Sequence, residues 1–213
     1  MKVMILTPTL DAKVGYDYCR SMASTAILLN KVNIGFDVLF VAGCAAIDRS
    51  RDMLMHEFLK TDATHMLQID ADIGWDPYDV VRMLEHDLDY VAGVYPVKSP
   101  ERRFKVDIMD DVAGMLMRVR SAPGGFTMIK RHVIESMVDN YPLLKGVGEG
   151  QEVVSWLHTH QVRDGKVMGE DVSFCDRLHR SGFKMWIDPT INLRHWNGTQ
   201  SFDHTLIRKK NVK

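Results

Sequence analysis

His65-Met66-Leu67-Gln68-Ile69-Asp70-Ala71-Asp72-Ile73-Gly74-Trp75 decides the fold. The stretch opens as a short apolar run and ends in two carboxylates one residue apart. A run bounded in this way reads as a buried strand whose last residues leave the sheet. In open α/β sheets, ligands bind outside the carboxyl ends of the strands, so Asp70 and Asp72 are expected at a binding rim. Alternation along a strand sets residues i and i+2 on one face, which would aim both carboxylates at one spot. Two hard oxygen ligands suit Mg²⁺ or Mn²⁺, ions that keep positions open for water and substrate phosphates. The competing use of an Asp-x-Asp pair is a solvated turn or a helix cap. Asp76 before Pro77 already supplies an N-cap with proline at the first helical position, so capping does not require Asp70 or Asp72.

Upstream, residues 2–7 fit a buried first strand, and Thr7-Pro8-Thr9 is expected to break it where a nucleotide base or ribose would rest. Residues 16–30 carry Met22, Ala26 and Leu29 at helical steps. Residues 36–41 read as a second strand, and residues 48 to about 60 as a second helix. Arg49 and Arg51 open that helix against a dipole that prefers acids there, flanked by Asp48 and Asp52. Two readings fit: a surface ion-pair cluster, or an arginine reaching a phosphate or ribose beside the metal site. Downstream come a helix over 76–86, a strand over 90–94 and an ordered loop over 95–100 with two prolines. Strand–helix alternation to this point predicts a mostly parallel sheet of βαβ units.

The pattern then changes. Residues 115–120 alternate like an antiparallel or edge strand, and Pro123-Gly124-Gly125 turns into a strand over 126–129. Glycine there would let a ligand approach the backbone closely. A helix is expected over 130–138 and a loop, long enough for a lid, over 140–150. Gly169-Glu170-Asp171 opens the last helix, which stops at Ser181-Gly182. Two short strands follow, over 184–187 and 191–195, the second ending in His195, before a polar tail from about 201.

The chain of 213 residues suits one sizeable α/β domain, with halves at about 1–100 and 101–200 and the tail at 201–213. A net charge of −1 gives no global basic field to collect nucleic acid. Cys19, Cys44 and Cys175 are far apart, form no zinc spacing, and fit a reducing cytoplasm as small apolar fillers. No signal peptide or membrane span is expected.

Taken in order, the opening strand with Thr7-Pro8-Thr9, Gln68-Ile69-Asp70-Ala71-Asp72, Gly169-Glu170-Asp171 at a helix start and His195 after a late strand resemble a small GT-A glycosyltransferase. The likeness is to enzymes related to family 2 and to short bacteriophage-type members, over residues 1 to about 198. It implies a single Rossmann-like GT-A domain with a mostly parallel central sheet and a mixed or antiparallel acceptor half. It implies sugar transfer from a nucleotide-sugar, with UDP the expected nucleotide. Asp72 would bind the metal directly, Asp70 the metal or the ribose, and His195 would add a ligand from across the site. A mixed oxygen and nitrogen set favours Mn²⁺ over Mg²⁺. Glu170 and Asp171 resemble the acidic pair that meets the acceptor, with Asp171 as base; helix capping is their alternative use. Family members often carry Arg-Asn where this chain has Arg51-Asp52. The late Gln-x-x-Arg-Trp pattern of processive members is absent, since residues 177–180 read Arg-Leu-His-Arg.

Three other functions compete. A haloacid-dehalogenase-type phosphatase would want Thr or Val at Gly74 and its motif on the first strand. A nucleotidyltransferase would want a glycine-rich basic loop, and residues 7–13 hold no glycine. The third is a non-catalytic nucleotide-binding module on the same scaffold. The acceptor is expected to be a glycan, a small molecule or a hydroxymethylated pyrimidine in DNA. DNA would need a basic face, for which Arg102, Arg103, Lys105, Lys130, Arg131 and residues 208–213 are the candidates.

Overall fold

A computed structural model describes residues 1–99, 103–148 and 151–203. The first half runs β1 (Lys2–Thr9), α1 (Tyr16–Lys31), β2 (Gly35–Ala42), α2 (Ile47–Leu59), β3 (His65–Ile69), β4 (Ile73–Gly74), α3 (Pro77–Glu85) and β5 (Tyr90–Ala92). Then follow β6 (Asp107–Ala113), β7 (Leu116–Ser121), β8 (Phe126–Lys130), α4 (Arg131–Asn140), β9 (Lys145–Val147) and β10 (Val153–Ser155). The chain closes with β11 (Gln161–Arg163), β12 (Lys166–Met168), α5 (Glu170–Arg180), β13 (Met185–Ile187), β14 (Arg194–Trp196) and β15 (Ser201–Phe202).

Eight strands form the central sheet in the order β2-β1-β3-β8-β5-β13-β7-β6. Pairing is parallel for β1 with β2, β1 with β3 and β5 with β13, and antiparallel at the other four junctions. The sheet is therefore mixed, which corrects the mostly parallel expectation. The cause is β8: it leaves the Pro123-Gly124-Gly125 turn and runs back between β3 and β5, pairing with both. Alternating strands and helices do not disclose that a later strand separates two earlier ones.

Alternation along the strands divides the core. Met4, Leu6 and Met66 face α2, α4 and α5 through Leu54, Phe58, Ile134 and Phe174. Val3, Ile5 and Leu67 face the other way, onto α1 and α3 through Tyr18, Leu29, Val80 and Met83. The result is three layers with helices on both faces of the sheet. Helix α3 starts as its sequence requires: Asp76 accepts from Tyr78 N–H at 3.0 Å, Asp79 reaches back to Asp76 N–H, and Pro77 opens the first turn.

Thr7-Pro8-Thr9 does not break β1, because all three pair with β2. The β1–β3 ladder stops at Leu6, so the amide that Pro8 lacks has no third strand to serve. Within 140–150, Pro142–Leu144 is a 3-10 turn and β9 pairs with β10. Of the cysteines only Cys175 is buried; Cys19 is exposed. No helix among the described residues is long and apolar enough to cross a membrane.

Candidate functional site

A cleft of about 840 Å³ opens where β1 and β3 end, walled by Pro8, Thr9, Asp70, Asp72, the loop after β5, Glu170, Asp171 and His195. Beyond Ile69 the chain turns, with Ile73 N–H donating to Asp70 O at 3.0 Å, before the two-residue β4. Asp70 and Asp72 thus lie in a turn, and strand alternation does not set their directions. β4 pairs antiparallel with β14, His195 opposite Ile73, and Trp196 N–H donates to Asp72 O at 2.9 Å. This ladder carries an imidazole from near the end of the chain to the tip of β3. His195 Nε2 lies 3.7 Å from Asp72 Oδ2.

Asp70 turns elsewhere, toward Arg51. Arg51 is only 2% exposed. Its Nη2 stands 3.1 Å from Asp70 Oδ1 and 3.6 Å from Asp171 Oδ1. Nη1 donates to Gly124 O at 3.2 Å, and Nε lies 3.2 Å from the Gln68 amide oxygen when that oxygen faces the guanidinium. Burial works against the charge, but Asp70 and then Asp171 outweigh it and keep Arg51 protonated. Arg51 is not part of a surface cluster; it lines the cleft from within, with its donors on protein groups.

Burial lifts the Asp70 carboxyl above its ordinary pKa in spite of Arg51, and Asp171 and Asp72 push the same way. One buried cation is shared by two acids. Asp70 Oδ1 and Asp171 Oδ1 are both buried and accept no hydrogen bond of proper geometry.

Gly124 and Gly125 make this arrangement possible. A Cβ on Gly124 would sit 2.5 Å from Asp171 Oδ1 and 3.1 Å from Arg51 Nη1, and one on Gly125 would collide with Asp70 Oδ2 and Tyr95 Oη. The close approach expected of a ligand is made by the site's own side chains.

The proline-rich loop after β5 touches Asp70, Asp72 and His195. Tyr95 Oη donates to Asp70 Oδ2 at 3.3 Å; burial, with Asp70 and Asp171 nearby, keeps it a neutral phenol. His195 Nδ1 is 2.8 Å from Pro96 O. A carbonyl only accepts, so Nδ1 carries a proton, and Nε2 is the ring nitrogen that faces Asp72. Lys98 Nζ makes a short ion pair with Asp72 Oδ2. Burial alone would raise the Asp72 carboxyl, but His195 and Lys98 hold it below its usual value.

Pro8 and Thr9 line the cleft, and Thr9 Oγ1 donates to Lys13 O at 2.7 Å. Thr7 does not reach it; Thr7 is fully buried with its hydroxyl 2.7 Å from Tyr18 Oη. Glu170 and Asp171 occupy the first turn of α5, and no side chain caps that helix. Capping therefore does not account for the acidic pair.

Sequence reasoning missed the partner of Asp52. That carboxylate is buried and accepts from His158 N–H at 3.1 Å, with His158 Nδ1 at 2.7 Å. The His158 ring stacks on Phe174 of α5 at 4.3 Å. Adjacent residues of α2 thus serve two ends: Arg51 joins the acids, and Asp52 fastens the segment leading to α5. Lone histidines carry no spacing signal for such a pair. A second cluster, His56, Glu57 and Glu152, brings three ligand atoms within 4.8 Å of one another and is able in principle to hold a cation. Lys60 already ion-pairs both of its carboxylates, at 2.8 and 2.5 Å.

Among the described residues considered for DNA, Lys130 and Arg131 lie away from Lys105. Lys130 pairs with the start of β3, opposite its Asp70 end, and its ammonium binds Asp87 at 2.7 Å. Arg131 caps the end of α2, donating to Phe58 O, Thr61 O and Ala63 O at 2.9, 2.8 and 2.7 Å. Lys105 lines the cleft. Arg102 and residues 208–213 lie outside the described residues.

Carboxylate oxygens and an imidazole nitrogen are ordinary ligands of a divalent ion. Asp72 and His195 meet in the cleft and would suit one, whereas Asp70 turns its carboxylate to Arg51. His56, Glu57 and Glu152 are the one group of three among the described residues whose ligand atoms lie within 4.8 Å of one another.

No protein-family profile and no curated sequence matches this chain. Solved structures share its fold. A197 from STIV is 17% identical over 92% of this chain and 86% of that one, with a TM-score of 0.56. TarS 1–349 of S. aureus is 9% identical over 95% of this chain and 60% of that one, with a TM-score of 0.51. At such identity the likeness shows the fold alone, an α/β domain with a central mixed sheet and smaller peripheral sheets.

Proposed function

We propose that the chain is a metal-dependent glycosyltransferase that moves a sugar from a nucleotide-sugar, with UDP as the nucleotide, to a hydroxyl acceptor. The observation that carries this reading is the charge lining the cleft. Five carboxylates (Asp11, Asp70, Asp72, Glu170 and Asp171) stand against four fixed cations (Lys13, Arg51, Lys98 and Lys105). Arg51 is committed to two of those acids. A diphosphate does not enter such a site unaided, whereas a divalent cation gives both acids and phosphates a partner. The volume of about 840 Å³ is within the range of small-molecule clefts.

Asp72, His195 and Asp70 are the residues that would hold the ion. When bound, it supplies Lewis-acid stabilisation of the charge that grows on the diphosphate as the sugar leaves. Pro8 and Thr9 form the floor for base and ribose. Asp171 accepts the proton of the acceptor hydroxyl as its oxygen attacks the anomeric carbon, with Glu170 beside it for orientation. Arg51 keeps Asp171 and Asp70 at a fixed separation. A glycan or small-molecule acceptor is favoured over DNA, because Lys130 and Arg131 face away from the cleft with their donors used.

The test is a panel of nucleotide-sugars incubated with the protein and Mn²⁺, reading nucleoside diphosphate release. Release from at least one UDP-sugar, abolished by chelation, is expected. Pyrophosphate release from a nucleoside triphosphate, without nucleotide-sugar turnover, would replace this reading with nucleotidyl transfer.

A further inference from the structure

Lys98 is the one cleft cation paired to a proposed metal ligand from outside the core. Its ammonium sits on Asp72 Oδ2, the oxygen that faces His195 Nε2. The side chains of Lys98 and Asp72 are 38% and 34% exposed, so the pair can open without unfolding anything. Its backbone is better held: Pro96 bridges Phe104, and Val97 N–H donates to Arg103 O at 2.8 Å. The four residues from Tyr95 to Lys98 meet Asp70, Asp72 and His195 together. An ammonium on the ligand oxygen and a divalent cation on the same oxygen exclude each other by charge and by space.

We infer that Lys98 is a displaceable counter-ion that ties metal binding to diphosphate binding: the ammonium covers Asp72 while the cleft is empty and moves to a phosphate oxygen when metal and nucleoside diphosphate arrive. This rests on the metal-dependent reading above and extends it. Metal alone must evict Lys98 with nothing to receive it. Diphosphate alone faces five carboxylates whose nearby cations Lys13, Arg51 and Lys98 are already paired to four of them. Together, each supplies what the other lacks, so the two ligands bind cooperatively. Such coupling is reciprocal: whatever factor the nucleotide adds to metal affinity, the metal adds to nucleotide affinity. A half-exposed ion pair is worth little, so each step is a matter of about two- to fivefold.

The experiment is calorimetric titration of the folded protein and of Lys98→Met with Mn²⁺ alone, with UDP alone, and with UDP in saturating Mn²⁺. Circular dichroism confirms that the exposed substitution leaves the fold intact. For Lys98→Met, Mn²⁺ alone should bind about two- to fivefold tighter, because its competitor is gone. UDP in Mn²⁺ should bind weaker by a similar factor, because the ammonium no longer meets the phosphate. These opposite signs are not the signature of general damage to the site. Lys98→Arg should keep the wild-type order of affinities. If Mn²⁺ alone binds Lys98→Met no tighter than wild type, while Mn²⁺ and UDP still bind wild type cooperatively, the counter-ion role is overturned and the metal site stands. If wild type binds UDP equally with and without Mn²⁺, the metal reading fails and this inference fails with it.

Discussion

Arg51→Ala should destabilise the protein by about 3–5 kcal/mol, the scale seen when one partner of a buried charge group is removed. The reason lies in what remains. Asp70 and Asp171 would stay half-buried at the end of β3 and the start of α5 with no counter-charge between them. Each already has an oxygen without a hydrogen bond, and the two would then repel. Arg51→Lys should recover only part of the loss, since an ammonium cannot reproduce the fork that meets Gly124 O, Gln68 and both acids. Urea unfolding followed by circular dichroism measures this directly. A variant within about 1 kcal/mol of wild type would mean that solvent, not Arg51, balances the acids.

Asp171→Asn should lower kcat for sugar transfer by about 10²–10⁴-fold, the usual contribution of a positioned general base. The affinity for UDP in Mn²⁺ should stay nearly unchanged, because Asp171 sits in the first turn of α5 and not among the proposed metal ligands. An interaction made only in the transition state shows this split of kcat from binding. The amide keeps the size and removes a charge that Arg51 shares, so the fold should tolerate it better than it tolerates loss of Arg51. Steady-state kinetics and UDP titration on the same preparation separate the two effects. A kcat within threefold of wild type would remove Asp171 as base and leave Glu170 as the candidate.

Much of this site was legible from residue types. The apolar run of β3 and the pair of acids behind it put Asp70 and Asp72 at the cleft. The Asp76-Pro77 start of α3 was readable because capping is local chemistry. What escaped the sequence depends on contacts between distant parts of the chain. β4 is two residues long, too short for any period, yet its pairing with β14 is what brings His195 to Asp72. β8 reads as a strand but not as one that runs between β3 and β5. Arg51 read either as part of a surface ion-pair cluster or as a phosphate contact; its burial beside Gly124, where a side chain would meet the guanidinium, depends on a part of the chain 73 residues away. The Asp52–His158 contact spans 106 residues and follows no spacing rule.

The proposed function requires a cation held by Asp72 and His195, with Asp70 beside them, against a diphosphate. Calorimetric titration of UDP into wild type and Asp72→Asn, each in Mn²⁺ and in chelator, measures it most directly. The expected result is tight binding only for wild type in Mn²⁺, with Asp72→Asn binding weakly in both buffers. Equal UDP affinity in Mn²⁺ and in chelator, unaffected by Asp72→Asn, would contradict it.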